Sequence, residues 1–338
     1  MDLNLFWFVA LGVLLAGYVI LDGFDLGAGA LHLFVRTDRE RRLVLNSIGP
    51  LWDGNEVWLV TFGGGLFAAF PHVYATAFSA FYLPFVLLLV FLIGRAVSIE
   101  FRSKREERWW RAYWDFSFAA ASTLAVFLEG VAVGNAIQGL KLGPDKEYAG
   151  TLLDLLGPYP LLVGAFAVAA AAMHGSIFLS LKTEGELCER MRRWAWRAFG
   201  IFLVLYVLVT IFTLVAIPRA VDNFQHLPAA WIIVVLNVLA VANIPRALFL
   251  GKLGYAFASS AATLSALVFL FGMALYPNLL ISRDDPALSL DIYNAASSAK
   301  TLGIMRTIAF IGAPLVLGYT ATVYWVFRGK TRLDKFSY

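Results

Sequence analysis

Long apolar stretches separated by short polar segments run along almost the whole chain. An α-helix needs about 20 apolar residues to cross a bilayer. Nine stretches meet this requirement, at 5–34, 50–70, 77–97, 116–138, 159–181, 198–217, 229–250, 254–276 and 304–327. The second is the least regular because WDGNE at 52–56 interrupts it, so eight spans is the alternative count. The pattern predicts an all-α integral membrane protein of about nine transmembrane helices.

The whole chain, 1–338, is expected to form a single transmembrane domain, because no connecting segment is long enough for a soluble domain. Packing preferences favour a division into two four-helix bundles, over 1–138 and 159–276, with 304–327 as an extra peripheral helix. The longest connection, 277–303, is polar and is expected to cap the bundle. The segment 183–197 mixes charges with tryptophans, which is typical of an interfacial helix leading into the sixth span.

Basic residues predict the orientation. Those after the first, third, fifth and seventh stretches and in the tail number 20, and Arg95 near the end of the third stretch is counted with them. The tail contributes Arg328, Lys330, Arg332 and Lys335. Only six occupy the other side: Lys141, Lys146, Arg219, Arg283, Lys300 and Arg306. By the positive-inside rule, the N-terminus lies outside and the C-terminus in the cytoplasm. An eight-span chain would break this alternation.

Composition narrows the class of protein. Hydrophobic residues make up 60% of the 338 and charged residues 15%, and the mean hydropathy is +0.74. These values exclude a cytosolic enzyme, a disordered protein and a nucleic-acid binder. The pI near 9.1 follows from the topology. Cys188 is the single cysteine, so an internal disulfide is impossible. No Lys or Arg precedes Arg36, so we expect a true first span rather than a cleaved signal peptide.

Five acidic residues fall within the apolar stretches: Asp22, Asp25, Asp53, Glu56 and Glu129. Such residues are costly in a membrane and are functional candidates. At about 1.5 Å per residue, they descend from about 6 Å (Asp53) to about 20 Å (Asp22 and Glu129) below the cytoplasmic ends. No Lys or Arg is expected deep enough to neutralise them, so burial should favour their protonated forms. This series of acidic residues at successive depths predicts a proton path.

Two alternatives remain for these carboxyls. Asp22 and Glu129 could each simply hydrogen-bond a neighbouring helix, and Asp25 and Asp53 could hold a hard cation between them. The glycines near them favour close helix packing, since Gly23 and Gly27 form a small-xxx-small pair and 63–65 is a run of three glycines.

The four histidines of the chain are not placed as haem ligands would be. His32 and His72 are placed near interfaces and His226 in an outside loop. His174 alone lies well inside a span, where a hydrogen-bonded helix contact is the expected role. No pair of histidines is placed to clamp a b-type haem.

Several segments together resemble subunit II of cytochrome bd-type quinol oxidases. They are DGFDLG at 22–27, NSIGPLWDGNEVWL at 46–59, FRSK at 101–104, GN at 134–135 with QG at 138–139, and KTEGEL at 182–187. The resemblance covers most of the chain and weakens beyond about residue 200.

The resemblance implies a complex in the bacterial or archaeal cell membrane that oxidises ubiquinol or menaquinol and reduces dioxygen to water. It implies two b haems and haem d in the partner, subunit I, and no haem in this subunit. The fold it implies is two four-helix bundles plus one helix. A structural quinone and small single-span subunits occur in some members, and a role in stabilising the complex and in proton transfer is implied.

Carried over by position, Asp25 matches the second carboxyl of the first motif, and Trp52 and Asp53 match the tryptophan–aspartate pair of the second. Glu56 stands where other members can have a neutral amide. His174 stands where they can have glutamine, which supports its structural interpretation.

The leading hypothesis is a haem-free oxidase subunit that feeds protons through Asp53 and Asp25, helped by Trp52, Asn55 and water, with Glu56, Asp22 and Glu129 completing the path. The alternatives are a stand-alone proton- or cation-coupled secondary transporter and a pure assembly scaffold whose carboxyls only join helices.

Overall fold

The computed structural model describes residues 2–333, which are mostly helical. The helices are α1 (Leu3–Leu31), α2 (Asp38–Ile48), α3 (Trp52–Ala69), α4 (Pro71–Ala80), α5 (Tyr82–Phe101), α6 (Arg108–Gln138), α7 (Pro158–Lys182), α8 (Gly185–Ala216), α9 (Asp222–His226), α10 (Trp231–Phe249), α11 (Leu253–Leu275) and α12 (Ala299–Val326). Two short antiparallel strands, β1 (Asn278–Leu280) and β2 (Leu290–Asp291), complete the fold. Lys335 of the predicted cytoplasmic tail lies outside the described residues.

Eight helices within residues 2–333 are long and apolar enough to cross a membrane: α1, α5, α6, α7, α8, α10, α11 and α12. The chain is therefore a multi-pass membrane protein. The second predicted span corresponds to α3, whose 18 residues carry Asp53, Asn55 and Glu56 in the first two turns. These side chains lower its hydropathy below that of the other eight. The count of nine and the orientation stay predictions.

Two helix boundaries differ from the predicted ones in ways that affect the site. The third apolar stretch is divided between α4, which ends at Ala80, and α5, which continues to Phe101 rather than residue 97. Pro84 lies in the first turn of α5, where its missing N–H removes no helical hydrogen bond. The fourth stretch begins eight residues early, at Arg108. Both extensions carry charged side chains into helices.

Helix α7 is the most buried of the long helices and contacts α1, α6, α8 and α11. The backbones of α1 and α7 approach each other at Gly27 and Gly175, and a Cβ atom added to either glycine would collide with backbone of the other helix. The small-xxx-small expectation is therefore correct for Gly27. It is wrong for Gly23, Gly63 and Gly64 within this chain, because their added Cβ atoms would meet nothing within 4 Å.

The connection 277–303 caps one end of the helices, as predicted. Leu290 and Ile292 are fully buried and belong to the same apolar cluster as Trp7 and Phe70. The backbone N–H of Ser297 donates to the Ala69 carbonyl at 2.8 Å, which attaches the cap to the end of α3.

The predicted interfacial segment 183–197 is continuous with the sixth span. Residues 185–216 of the two predicted segments lie in α8, a single helix of 32 residues. At about 1.5 Å per residue, this helix is about 48 Å long. Its first turns therefore extend beyond the thickness of a hydrocarbon core, about 30 Å.

Candidate functional site: a buried carboxyl network

Arg95 lies between two of the predicted carboxyls. Its Nη1 donates to Asp22 Oδ1 at 2.7 Å and its Nη2 donates to Glu56 Oε2 at 2.6 Å. The side chains of Arg95 and Asp22 are completely buried, whereas that of Glu56 is 23% exposed. The expectation that no basic residue lies deep enough to neutralise the carboxyls is therefore wrong.

The error has a simple origin in the end of α5. The apolar stretch stops at 97 and so predicts that Arg95 lies near a cytoplasmic helix end, but the helix continues to Phe101. Arg95 therefore lies six residues, about 9 Å, before the helix end. From there its guanidinium reaches inward to α1 and α3 and lies 6.0 Å from the centre of a Trp52 ring.

One guanidinium facing two carboxyls has a chemical consequence. A single positive charge balances one carboxylate, and a buried carboxylate without such a partner is strongly unfavourable. The second carboxyl of the Asp22–Glu56 pair can therefore take up a proton without creating net charge. Glu56 is the member of this pair that the rest of the chain leaves partly exposed.

A second part of the network joins Asp25 to two other helices. Asn55 Nδ2 donates to Asp25 Oδ2 at 2.7 Å and to the Leu21 carbonyl at 3.2 Å. Tyr324 of α12 donates to Asn55 Oδ1 at 2.9 Å. The other oxygen of Asp25 is buried and has no hydrogen-bond partner within residues 2–333. This oxygen can therefore accept a further hydrogen bond, next to the Asn55 amide that fixes the other oxygen.

Glu129 accepts a hydrogen bond from the Tyr18 hydroxyl at 2.6 Å, which connects α6 to α1. This is the helix-joining contact that the sequence left open as an alternative for Glu129. Tyr18 itself was not anticipated, since a tyrosine in an apolar stretch carries no distinguishing pattern.

Asp53 is exposed on the first turn of α3, next to the half-buried Trp52. It forms no ion pair with the described part of the chain. Asp53 and Glu56 are three residues apart and share a face of the helix. Within residues 2–333, no group of three or more His, Cys, Asp or Glu side chains is arranged to hold a metal ion. A cation between Asp25 and Asp53 stays a prediction.

A buried ion cluster that the sequence did not indicate surrounds Asp115. Its carboxylate accepts from His32 Nε2 at 2.5 Å, Arg41 Nη1 at 2.7 Å and Arg102 Nε at 2.5 Å. His32, which was expected near an interface, is fully buried here. Asp115 directly precedes the apolar stretch 116–138, so it is not among the acidic residues that the stretches contain. The cluster joins the end of α1 to α2, α5 and α6.

Glu40 and Arg190 form an ion pair at 2.8 Å that connects α2 to α8. Partial burial acts to raise the pKa of Glu40. The hydrogen bonds from Arg190 and from the Thr37 backbone outweigh it, so the pKa lies below its usual range. The same carboxylate completes the N-terminal cap of α2 with Thr37.

His174 makes the helix contact predicted for it. Its Nδ1 lies 2.7 Å from Ser260 Oγ, and its Nε2 lies 3.0 Å from the Ile20 carbonyl. The ring also stacks on Phe257 with 4.8 Å between centroids. It thereby joins α7 to α1 and α11. His72 is half-buried and His226 is exposed.

The fold and this network define a polytopic helical membrane protein with an ion-paired carboxyl cluster among its helices. The family model described as cytochrome bd terminal oxidase subunit II matches residues 3–327. The chain belongs to this family, as its motifs predicted.

Relatives match over nearly their whole lengths. Cytochrome bd-I ubiquinol oxidase subunit 2 of Escherichia coli K12 is 36% identical, over 97% of this chain and 95% of that protein. Cytochrome bd ubiquinol oxidase subunit 2 of Bacillus subtilis 168 is 34% identical, over 96% and 95%. A chain in the structure of bd oxidase from Geobacillus thermodenitrificans has the same fold, with a TM-score of 0.79 at 18% identity, over 97% of this chain and 99% of that one.

Proposed function

We propose that this chain is the haem-free subunit of a quinol oxidase complex in the cell membrane, in which quinol is oxidised and dioxygen is reduced to water. Family membership and the ubiquinol oxidase names of the relatives support this proposal. The partner is a haem-bearing subunit I, which this chain stabilises. Small single-span subunits and a structural quinone belong to the same proposal.

The two b haems and haem d are assigned to the partner. The buried histidines of this chain do not fit paired axial ligation, because both nitrogens of His174 are hydrogen-bonded and His32 is bonded to Asp115. When bound in the partner, the haems supply electron transfer and the site of dioxygen reduction. The residues of this chain hold and move protons.

The proposed path begins at the exposed Asp53 and continues one helical turn along α3 to Glu56. From there the Arg95 guanidinium connects Glu56 to Asp22. When one carboxyl of this pair takes up a proton, the other carboxylate stays paired with the guanidinium. Asp25, oriented by Asn55, receives the proton on its unpaired oxygen.

The remaining members have supporting roles. Trp52 lies beside the guanidinium, and Glu129, hydrogen-bonded to Tyr18, extends the network toward α6. The observation that carries the proposal is the pairing of one arginine with two carboxyls, because this cluster is neutral with one proton bound, and after release the unbalanced carboxylate charge can reside on the partly exposed Glu56. Reduction of dioxygen consumes protons, which this path would deliver from the cytoplasm.

Two substitutions test the path, Asp53→Asn and Glu56→Gln, each in the intact complex. We expect quinol-supported oxygen consumption to fall by at least about tenfold while haem content stays normal, since loss of a proton-transferring group commonly costs about 10²–10⁴-fold. Glu106→Gln, in the exposed connection between α5 and α6, is the matched control and should leave turnover unchanged. Unchanged turnover in both site variants would defeat the proposal.

Haem content separates this proposal from the scaffold hypothesis, in which the same variants would lose haem or partner rather than turnover. Purification separates it from the stand-alone transporter, which the family match does not favour. A transporter would purify alone and colourless, whereas the oxidase subunit should bring a haem-containing partner with a far-red absorption band.

A further inference from the structure

Arginine and aromatic side chains enclose a cavity of about 210 Å³ between the segment after α1 and the first turns of α8. The lining residues are Phe34, Arg36, Arg190, Arg193, Trp194 and Arg197. The cavity lies on the predicted cytoplasmic side. Nothing in the proton path involves these residues, so they require a separate explanation.

The positive charge of this cavity is not balanced by the chain itself. Arg190 is ion-paired with Glu40. Arg36, Arg193 and Arg197 form no ion pair with any other residue in 2–333. Arg197 instead lies over the Trp194 ring, 5.3 Å from its centre. Three unpaired guanidiniums around one cavity provide a fork-shaped donor set that matches a phosphate group.

The register of α8 places this charge at the end of an exposed apolar stripe. Arg193 and Arg197 lie on the same helix face as a row of exposed apolar residues spaced three and four apart: Ile201, Val204, Leu208, Ile211 and Val215. From Arg197 to Val215 the helix rises about 27 Å. That is close to the thickness of a hydrocarbon core, about 30 Å. The arginines therefore lie at the level of lipid headgroups.

We propose that this cavity binds the phosphoryl headgroup of an anionic phospholipid, whose acyl chains lie along the exposed stripe of α8. Basic pockets of this kind on the cytoplasmic side of membrane proteins attract anionic headgroups. Trp194 is suited to the interface, where an aromatic ring borders both water and lipid. A free phosphate ion shares the headgroup chemistry, but the apolar stripe favours the lipid.

The test uses the purified, delipidated complex containing the full chain. Phosphatidylglycerol, phosphatidylcholine and inorganic phosphate are titrated separately, and bound lipid is counted by native mass spectrometry. We expect retention of phosphatidylglycerol over phosphatidylcholine, and a loss of affinity of about 25-fold in Arg193→Gln/Arg197→Gln, since each arginine near an anionic surface contributes about fivefold.

The matched control is Arg105→Gln/Arg328→Gln, which removes two exposed arginines that also lie over tryptophan rings, at 5.1 and 4.2 Å. This variant should bind phosphatidylglycerol like the unmodified complex. If the glutamine variant fails to assemble, Arg193→Lys/Arg197→Lys should assemble and retain the preference for phosphatidylglycerol.

Three results would overturn the proposal. Equal phosphatidylglycerol binding by the site and control variants would remove the role of these arginines. Equal binding of phosphatidylcholine would remove the role of charge. Binding of inorganic phosphate at the site as tightly as phosphatidylglycerol would identify a soluble anion, rather than a lipid, as the ligand.

Discussion

At the scale of single residues, Arg95 determines how the buried carboxyls behave. Without it, Asp22 and Glu56 would have to be protonated to remain in an apolar interior, as the sequence alone suggested. With it, the pair has a positive charge at 2.7 and 2.6 Å. Buried ion pairs contribute little net stability, but removal of one partner is costly because the other charge is left alone.

We therefore predict that Arg95→Gln lowers the stability of the complex by about 3–5 kcal/mol. The double variant Asp22→Asn/Arg95→Gln should lose less than the sum of its two single variants, because it removes both charges. Denaturant unfolding of the purified complex in detergent measures both effects.

Arg108→Gln, at the exposed start of α6, is the control and should change stability by less than about 0.5 kcal/mol. An Arg95→Gln complex as stable as the unmodified one would show that the ion pair is not formed.

At the scale of helices, close backbone contact and hydrogen bonds between helices hold the network in position. Asp22 and Asp25 are both on α1, which packs against α7 and meets α5 and α3 through these two side chains. The contact at Gly27 and Gly175 allows this approach. Asn55 then connects α1, α3 and α12 through Asp25 and Tyr324.

Two glycines four residues apart on α1 provide a matched test of this packing. Gly27→Ala should destabilise the complex by about 1–3 kcal/mol, because its Cβ would collide with backbone of α7. Gly23→Ala should be neutral or stabilise by up to about 1 kcal/mol, because alanine is a better helix former and nothing lies within 4 Å of its Cβ. Thermal denaturation compares the two; equal effects would contradict the packing described here.

At the scale of the whole molecule, the apolar stretches predicted the long helices well, because about 20 apolar residues in a row have few other stable solutions. They did not predict where the helices end. The position of Arg95 depends on four extra residues of α5, and that of Asp115 on eight extra residues of α6.

The acidic members of the site were visible in the sequence because charged residues in an apolar stretch are conspicuous. Their partners were not. Along the chain, Tyr18 is 111 residues from Glu129, to which it donates. Tyr324 is 269 residues from Asn55, and Arg95 is 73 residues from Asp22. Which side chains meet across such sequence separations depends on helix rotation and tertiary packing, which a single sequence does not display.

The central claim is that the carboxyl network carries protons for dioxygen reduction, and Asp25→Asn tests it most directly. An amide has the shape of the carboxyl and can still accept the hydrogen bond from Asn55, but it cannot carry a proton. We predict a complex with normal haem content and quinol-supported oxygen consumption lowered by at least about tenfold. A fully assembled Asp25→Asn complex that consumes oxygen at the unmodified rate would contradict the account.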